Sequence, residues 1–157
     1  MSFARSRYSP VSAHAQGSLA GTPPFTKPPR ILLAEDDAKL RLLVATTLRE
    51  DGYEVIEVQD GGRLLVQIAG AYAGHGRHAV CDMVVSDIRM PICSGMEILE
   101  GLRKAHWTTP VILMTAFRNE ATRALAASLS ATLLEKPFGL DELLQAVLNL
   151  LPGRGSG

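Results

Sequence analysis

Cysteine, excess charge and long apolar runs are all scarce in this chain, and each scarcity excludes a class of protein. The 157 residues include two cysteines, Cys81 and Cys93, in no metal-binding spacing, so we expect an intracellular, cytoplasmic protein. Lysine plus arginine equals aspartate plus glutamate at 16 each, which gives no bulk attraction to nucleic acid or to an anionic membrane. No apolar run approaches the length of about 18 residues that a membrane-spanning helix needs, and the N-terminus lacks a secretory signal.

The chain length suits one domain with a sizeable core. Residues 1–29 are rich in Ser, Pro, Gly and Ala and show neither helical nor strand periodicity, which predicts a flexible extension. Residues 152–157 have a similar composition and are predicted to be a flexible tail. The folded domain is therefore expected over residues 30–151.

Within that domain, short apolar runs alternate with stretches in which apolar residues recur every three or four positions. The apolar runs predict strands at 31–34, 83–85, 111–114 and 132–135, and the alternation of glutamate with apolar residues predicts a further strand at 53–58. The periodic stretches predict helices at approximately 40–50, 61–73, 95–105, 119–128 and 140–151. This alternation is typical of an α/β domain in which helices cover both faces of a parallel sheet.

Polar side chains follow four of the five predicted strands. Glu35 and Asp36 follow the first strand, Asp87 the third, Thr115 the fourth and Lys136 the fifth. The carboxyl ends of parallel strands lie at one edge of the sheet, where open α/β sheets bind their ligands. We therefore expect these residues to meet in one pocket, although they are far apart in sequence.

The chemistry of this set suggests phosphoryl transfer. Glu35, Asp36 and Asp87 bring three carboxylates together, and such a group repels itself unless its pKa values rise or a cation binds. Hard carboxylate oxygens suit Mg²⁺, which together with a lysine and a hydroxyl neutralises a transferring phosphoryl group. A carboxylate can itself be the nucleophile and form an aspartyl phosphate.

Four motifs in this order resemble the receiver domain of bacterial two-component response regulators. They are Leu-Ala-Glu-Asp-Asp at 33–37, Ser-Asp-Ile-Arg-Met-Pro at 86–91 with Gly95, Met-Thr-Ala at 114–116, and Glu-Lys-Pro-Phe at 135–138. The resemblance covers roughly residues 30–151, and each motif stands at a predicted strand end. It implies a doubly wound, flavodoxin-like (βα)5 fold with strand order 2-1-3-4-5.

The resemblance also assigns the acceptor and a metal site. Asp87 would accept the phosphoryl group and, with its carboxylate, help to bind Mg²⁺. Asp36 would bind the metal directly, Glu35 would hold it through water, and the backbone carbonyl of Arg89 would be a further ligand. Asp37, the third acid of its motif, is predicted instead to cap the helix that follows.

The remaining motif residues receive supporting roles from the same resemblance. Lys136 would pair with the phosphoryl oxygens, and Thr115 would donate a hydrogen bond to one of them. Pro137 would follow a cis peptide bond, and Gly95 would permit a tight turn before the third helix.

Several positions depart from the family pattern. Leu133 stands where the family usually has an aromatic switch residue, which predicts that the signal leaves through Thr115 and the loop and helix after it. Ser and Ala at 130–131 replace the usual Gly-Ala. Arg89 and Phe117 occupy the positions that flank the approach of water to the acceptor, and neither offers a carboxylate or amide oxygen.

The function implied is that of a stand-alone receiver, or one detached from a larger protein, because few residues follow the last helix. It would accept its phosphoryl group from a histidine kinase or a histidine phosphotransfer protein and signal to an unknown downstream protein. It would be a signalling domain and not an enzyme, a monomer or a weak phosphorylation-dependent dimer, with no direct contact to nucleic acid or membrane.

Two alternatives stay open at this point. A degenerate receiver would keep the fold and bind proteins without phosphorylation. A phosphatase using the same aspartate chemistry would need a second acid or base two residues after the nucleophile, where this chain has Arg89.

Overall fold

The computed structural model describes residues 27–74 and 81–151, the side chains of 71–74 excepted. The predicted flexible extension and tail therefore lie outside the described residues, apart from residues 27–29. None of the described helices is long and apolar enough to cross a membrane.

Five strands alternate with five helices in the described part of the chain, as the periodicity predicted. The strands are β1 (Arg30–Ala34), β2 (Glu54–Val58), β3 (Met83–Asp87), β4 (Val111–Thr115) and β5 (Thr132–Glu135). The helices are α1 (Ala38–Glu50), α2 (Gly61–Gly74), α3 (Gly95–Lys104), α4 (Glu120–Ser128) and α5 (Leu140–Leu150). All strand pairs are parallel, and the order β2-β1-β3-β4-β5 confirms the flavodoxin-like sheet.

The sheet separates two apolar cores, which explains why the central strands are continuously apolar. Ile31 and Leu33 of β1 face one core, together with Val44 of α1 and Leu143 of α5. The alternate strand residues face the second core, where α2, α3 and α4 contribute the buried side chains Leu64, Leu99 and Ala126. Every residue of β3 and of β4 is buried, so these two strands form the rigid centre from which the loops at the carboxyl edge project.

Side-chain caps fix where the helices near this edge begin. The carboxylate of Asp37 accepts hydrogen bonds from the backbone N–H groups of Lys39 and Leu40, which confirms it as the N-cap of α1. Ser94 caps α3 and exchanges hydrogen bonds with Glu97 in a capping box. These caps hold the β1–α1 and β3–α3 loops at defined positions beside the ends of β1 and β3.

Candidate functional site

Glu35, Asp36 and Asp87 lie together at the carboxyl edge of the sheet. Each offers a carboxylate oxygen, and these oxygens lie within 4.8 Å of one another. Glu35 is 1% exposed and Asp87 8% exposed, whereas Asp36 faces solvent. The sheet order makes this meeting necessary, because β1 and β3 are hydrogen-bonded neighbours and both end here.

Lys136 brings a positive charge into the same cluster. Its Nζ lies 2.9 Å from Oε2 of Glu35 and 3.3 Å from Oδ2 of Asp87. The residue follows β5, and its backbone N–H donates to the carbonyl of Thr115 at 2.6 Å. The bond from Lys136 to Pro137 is the cis peptide that the resemblance implied.

Burial controls the protonation of the two inner acids. It raises the pKa of Asp87 above the ordinary aspartate value, although the charge of Lys136 and its hydrogen bond act in the opposite direction. Burial likewise raises the pKa of Glu35, against the hydrogen bond from Lys136. Burial would lower the pKa of Lys136, but its hydrogen bond to Glu35 and the charge of Asp87 outweigh this effect and raise it. One lysine thus offsets only part of the negative charge that the three acids carry when all of them are ionised.

Thr115 ends β4, the strand next to the candidate acceptor. It is 4% exposed, and the register places Asp87 of β3 opposite Met114 of β4, so the two polar residues end neighbouring strands. The Thr115 hydroxyl oxygen accepts a hydrogen bond of 3.1 Å from the backbone N–H of Phe117. This hydrogen bond connects the hydroxyl to the β4–α4 loop, so a movement of the hydroxyl would change a contact of that loop.

Arg89 and Phe117 contact each other above the loops that carry them. The central guanidinium carbon of Arg89 lies 3.8 Å from the centroid of the Phe117 ring, in a cation–π arrangement. Both side chains are exposed, and they join the β3–α3 loop to the β4–α4 loop. The sequence placed both residues near the acceptor but did not show that they pair.

Gly95 is needed for a different reason from the tight turn that the resemblance implied. A Cβ atom at this position would lie 2.3 Å from the carbonyl oxygen of Asp87, so any side chain would displace the backbone of the candidate acceptor. The Gly95 N–H donates to the carbonyl of Ile88 at 2.9 Å, which closes the loop. Close approach of two backbones, and not conformational freedom, explains the glycine.

Two groups of charged residues around the site were missed at the sequence level. Arg41 of α1 donates a hydrogen bond of 2.7 Å to the backbone carbonyl of Glu35. Glu135, next to Lys136, forms ion pairs with Arg118 of the β4–α4 loop, at 3.0 Å, and with Arg123 of α4. The charged ends of arginine side chains usually lie in solvent. Only the packing of α1, of α4 and of the loop before α4 on the sheet therefore identifies these partners.

The comparisons with known proteins agree with this geometry. The family model described as the response regulator receiver domain matches residues 31–148. Together with the parallel 2-1-3-4-5 sheet and the acidic cluster at its edge, this match shows that the chain belongs to the response regulator receiver family.

Individual relatives are similar over most of this chain but over a smaller share of their own length. The transcriptional regulatory protein PdtaR of Mycobacterium tuberculosis is 32% identical over 122 residues, which are 76% of this chain and 55% of PdtaR. TcrA of the same organism, also named as a transcriptional regulatory protein, is 37% identical over 128 residues, 80% of this chain and 47% of TcrA. The chain thus spans about half the length of the curated relatives it matches.

Two solved structures of this family are matched over nearly their whole length. The receiver domain of the Francisella response regulator 1452 superposes with a TM-score of 0.68 at 30% identity, covering 78% of this chain and 95% of that one. The chemotaxis response regulator CheY4 of Vibrio cholerae gives a TM-score of 0.65 at 27% identity, covering 79% of this chain and 99% of CheY4. The match therefore extends over nearly the whole length of these two solved chains.

Proposed function

We propose that this protein accepts a phosphoryl group on Asp87 and relays the event to another protein as a cytoplasmic signalling switch. The observation that carries the proposal is Lys136 Nζ, 3.3 Å from Asp87 and 2.9 Å from Glu35, beside three clustered carboxylates. The donor would be a phosphohistidine of a histidine kinase or a histidine phosphotransfer protein. An Asp87 oxygen would form the new bond to phosphorus, the phosphorus–nitrogen bond would break, and the leaving imidazole nitrogen would take up a proton.

The donor set fits a magnesium ion. The ion would be held by the carboxylates of Glu35, Asp36 and Asp87 and by the backbone carbonyl of Arg89. These groups provide the hard oxygen ligands that Mg²⁺ prefers. The bound ion would supply charge neutralisation for the phosphoryl oxygens. Lys136 would pair with one of these oxygens, and Thr115 would donate a hydrogen bond from its hydroxyl to another.

Incubation of the full chain with acetyl phosphate, with and without Mg²⁺, tests the proposed function. With acetyl phosphate present, we expect the intact mass to rise by one phosphoryl group only when Mg²⁺ is also added. An unchanged mass under both conditions would favour the degenerate receiver, which binds its partners without phosphorylation. A mass that stays unchanged while acetyl phosphate is rapidly consumed would favour the phosphatase.

Magnesium binding should depend on pH over an unusual range. Because burial raises the pKa of Glu35 and of Asp87, protons compete with the metal above the ordinary carboxylate range of about 4. We expect the affinity for Mg²⁺ to fall as the pH is lowered, with the decline beginning above that range. Titration of the protein with Mg²⁺ at a series of pH values measures this dependence. An affinity for Mg²⁺ that stays unchanged down to about pH 4 would contradict the prediction.

The phosphorylated state should be long-lived. The Arg89–Phe117 pair joins the two loops beside the acceptor, and neither side chain can accept a proton from an attacking water. We expect Arg89→Asn and Phe117→Glu each to speed the decay of the aspartyl phosphate, because each removes the cation–π contact and introduces an oxygen acceptor. Decay is followed by intact mass after removal of acetyl phosphate.

Arg118→Asn is the matched control for this decay experiment. Arg118 is an exposed arginine of the same β4–α4 loop, but it pairs with Glu135 and not with the Phe117 ring. It should decay as the wild type does. The idea fails if neither Arg89→Asn nor Phe117→Glu decays faster than this control.

A further inference from the structure

Arg41 reaches from the first turn of α1 to the backbone that joins Glu35 and Asp36, the two candidate metal ligands that follow β1. Its Nη1 donates to the carbonyl oxygen of Glu35 at 2.7 Å, and its Nε lies 3.6 Å from Oε1 of Glu57 in β2. The side chain is 15% exposed, so both contacts are largely protected from solvent. A charged donor in such surroundings holds its acceptor more firmly than a neutral one.

The Glu35 carbonyl belongs to the peptide between Glu35 and Asp36. On its upstream side this turn is held by the Glu35 N–H, which donates to the carbonyl of Val58 at 3.2 Å. On its downstream side the Asp37 N–H donates to Oε1 of Glu35 itself at 3.1 Å. The guanidinium of Arg41 is the contact that fixes the peptide between these two points.

Glu57 in turn is held by a second arginine. Nη1 of Arg49 lies 2.9 Å from Oε2 of Glu57, and Nη2 of Arg49 donates to the carbonyl of Val55 at 3.0 Å. Arg41 and Arg49 therefore both connect α1 to β2 through the same carboxylate. They differ in their other acceptor, which is the Glu35 carbonyl for Arg41 and the Val55 carbonyl for Arg49.

We propose that Arg41 is a positioning residue for the metal site, acting through the Glu35–Asp36 peptide. Anchored by Glu57, its guanidinium fixes the peptide from which both carboxylates project, and so presents them in the arrangement that binds a divalent cation. The role rests on the proposed function, since it assumes that these acids hold Mg²⁺. It requires no contact between Arg41 and the metal or the phosphoryl group.

Three substitutions in the full chain separate this role from simple attachment of α1 to the sheet. Arg41→Ala removes both contacts, and Arg49→Ala removes the other guanidinium on Glu57 but leaves the Glu35 carbonyl bonded. Arg41→Lys keeps the charge, but its single ammonium on a flexible stem cannot reproduce a planar fork to two acceptors. The readouts are the dissociation constant for Mg²⁺ by calorimetric titration, the labelling by acetyl phosphate at limiting and at saturating Mg²⁺, and the thermal unfolding temperature without metal.

We expect Arg41→Ala to weaken Mg²⁺ binding about tenfold, as the loss of a residue that orients metal ligands typically does. Arg41→Lys should fall between this variant and the wild type, and Arg49→Ala should bind Mg²⁺ as the wild type does. At saturating Mg²⁺ the labelling of Arg41→Ala should recover. Equal affinity for Mg²⁺ in Arg41→Ala and Arg49→Ala would overturn the proposal.

The outcome is separable from that of the proposed function and from loss of folding. If the wild type binds Mg²⁺ but is never phosphorylated, the proposed function fails, while the comparison of metal affinities still decides the role of Arg41. If Arg41→Ala does not fold, the comparison of Arg41→Lys with Arg49→Ala decides the role of Arg41. Weaker Mg²⁺ binding in Arg41→Lys than in Arg49→Ala supports the role, and equal binding in the two variants refutes it.

Discussion

We expect Asp87→Asn to abolish phosphorylation completely, which is the largest effect of any single substitution in this protein. The amide has nearly the shape of the carboxylate but is no nucleophile, so the bond to phosphorus cannot form. The folded state should not be weakened. Burial already disfavours the charged form of Asp87, and the substitution removes a negative charge from beside Asp36 and Glu35.

Intact mass after incubation with acetyl phosphate and Mg²⁺ measures the effect, with thermal unfolding as a check on the fold. Asp82→Asn is the matched control, because Asp82 directly precedes β3 and lies at the opposite edge of the sheet from the acceptor. It should be labelled as the wild type is. Equal labelling of Asp87→Asn and the wild type would show that the acceptor is another residue.

The fold and the centre of the site were predictable from the sequence because both follow from patterns along the chain. Short strand patterns of three to six residues, separated by stretches of helical period, favour a parallel sheet covered on both faces. Once the strands are parallel, polar residues at their ends must converge. Asp87 and Lys136 lie 49 positions apart (136 − 87), and their side chains meet at 3.3 Å.

The contacts that surround the site could not be predicted, because they join long side chains on different helices and loops. Whether Arg41 reaches the Glu35 carbonyl depends on how α1 crosses the sheet, and whether Arg89 lies over Phe117 depends on the path of two loops. Neither distance is encoded in the spacing of residues along the sequence. The sequence itself shows only an arginine in the first turn of that helix, six positions after Glu35, which does not by itself identify its partner.

The structure shows what surrounds Leu133, the residue at the position where the family usually has an aromatic switch residue. Leu133 is partly buried and lines a cavity of about 450 Å³ between α4 and β5, together with Arg123 and Glu135. Glu135 directly precedes Lys136 and pairs with Arg118 of the β4–α4 loop and with Arg123 of α4, so these ion pairs connect the backbone beside Lys136 to that loop and helix. This connection fits the prediction that the signal leaves through the β4–α4 loop and α4.

We expect the second largest effect at the exposed acid of the cluster. Asp36→Asn should weaken Mg²⁺ binding by at least about tenfold, because it removes a charged oxygen from a set of three that lie within 4.8 Å of one another. Phosphorylation by acetyl phosphate at limiting Mg²⁺ should fall in parallel, and high Mg²⁺ should restore part of it.

Asp37→Asn is the matched comparison, since the two acids are neighbours in sequence and both are exposed. The Asp37 carboxylate caps α1, with Oδ1 accepting from the N–H groups of Lys39 and Leu40 at 2.9 and 3.1 Å, and these hydrogen bonds lower its pKa. Asparagine caps helices about as well as aspartate, so this variant should keep both its fold and its affinity for Mg²⁺. Calorimetric titration of the two variants decides the matter: weaker binding in Asp37→Asn than in Asp36→Asn would shift the acid pair by one residue and overturn the assignment of the metal site.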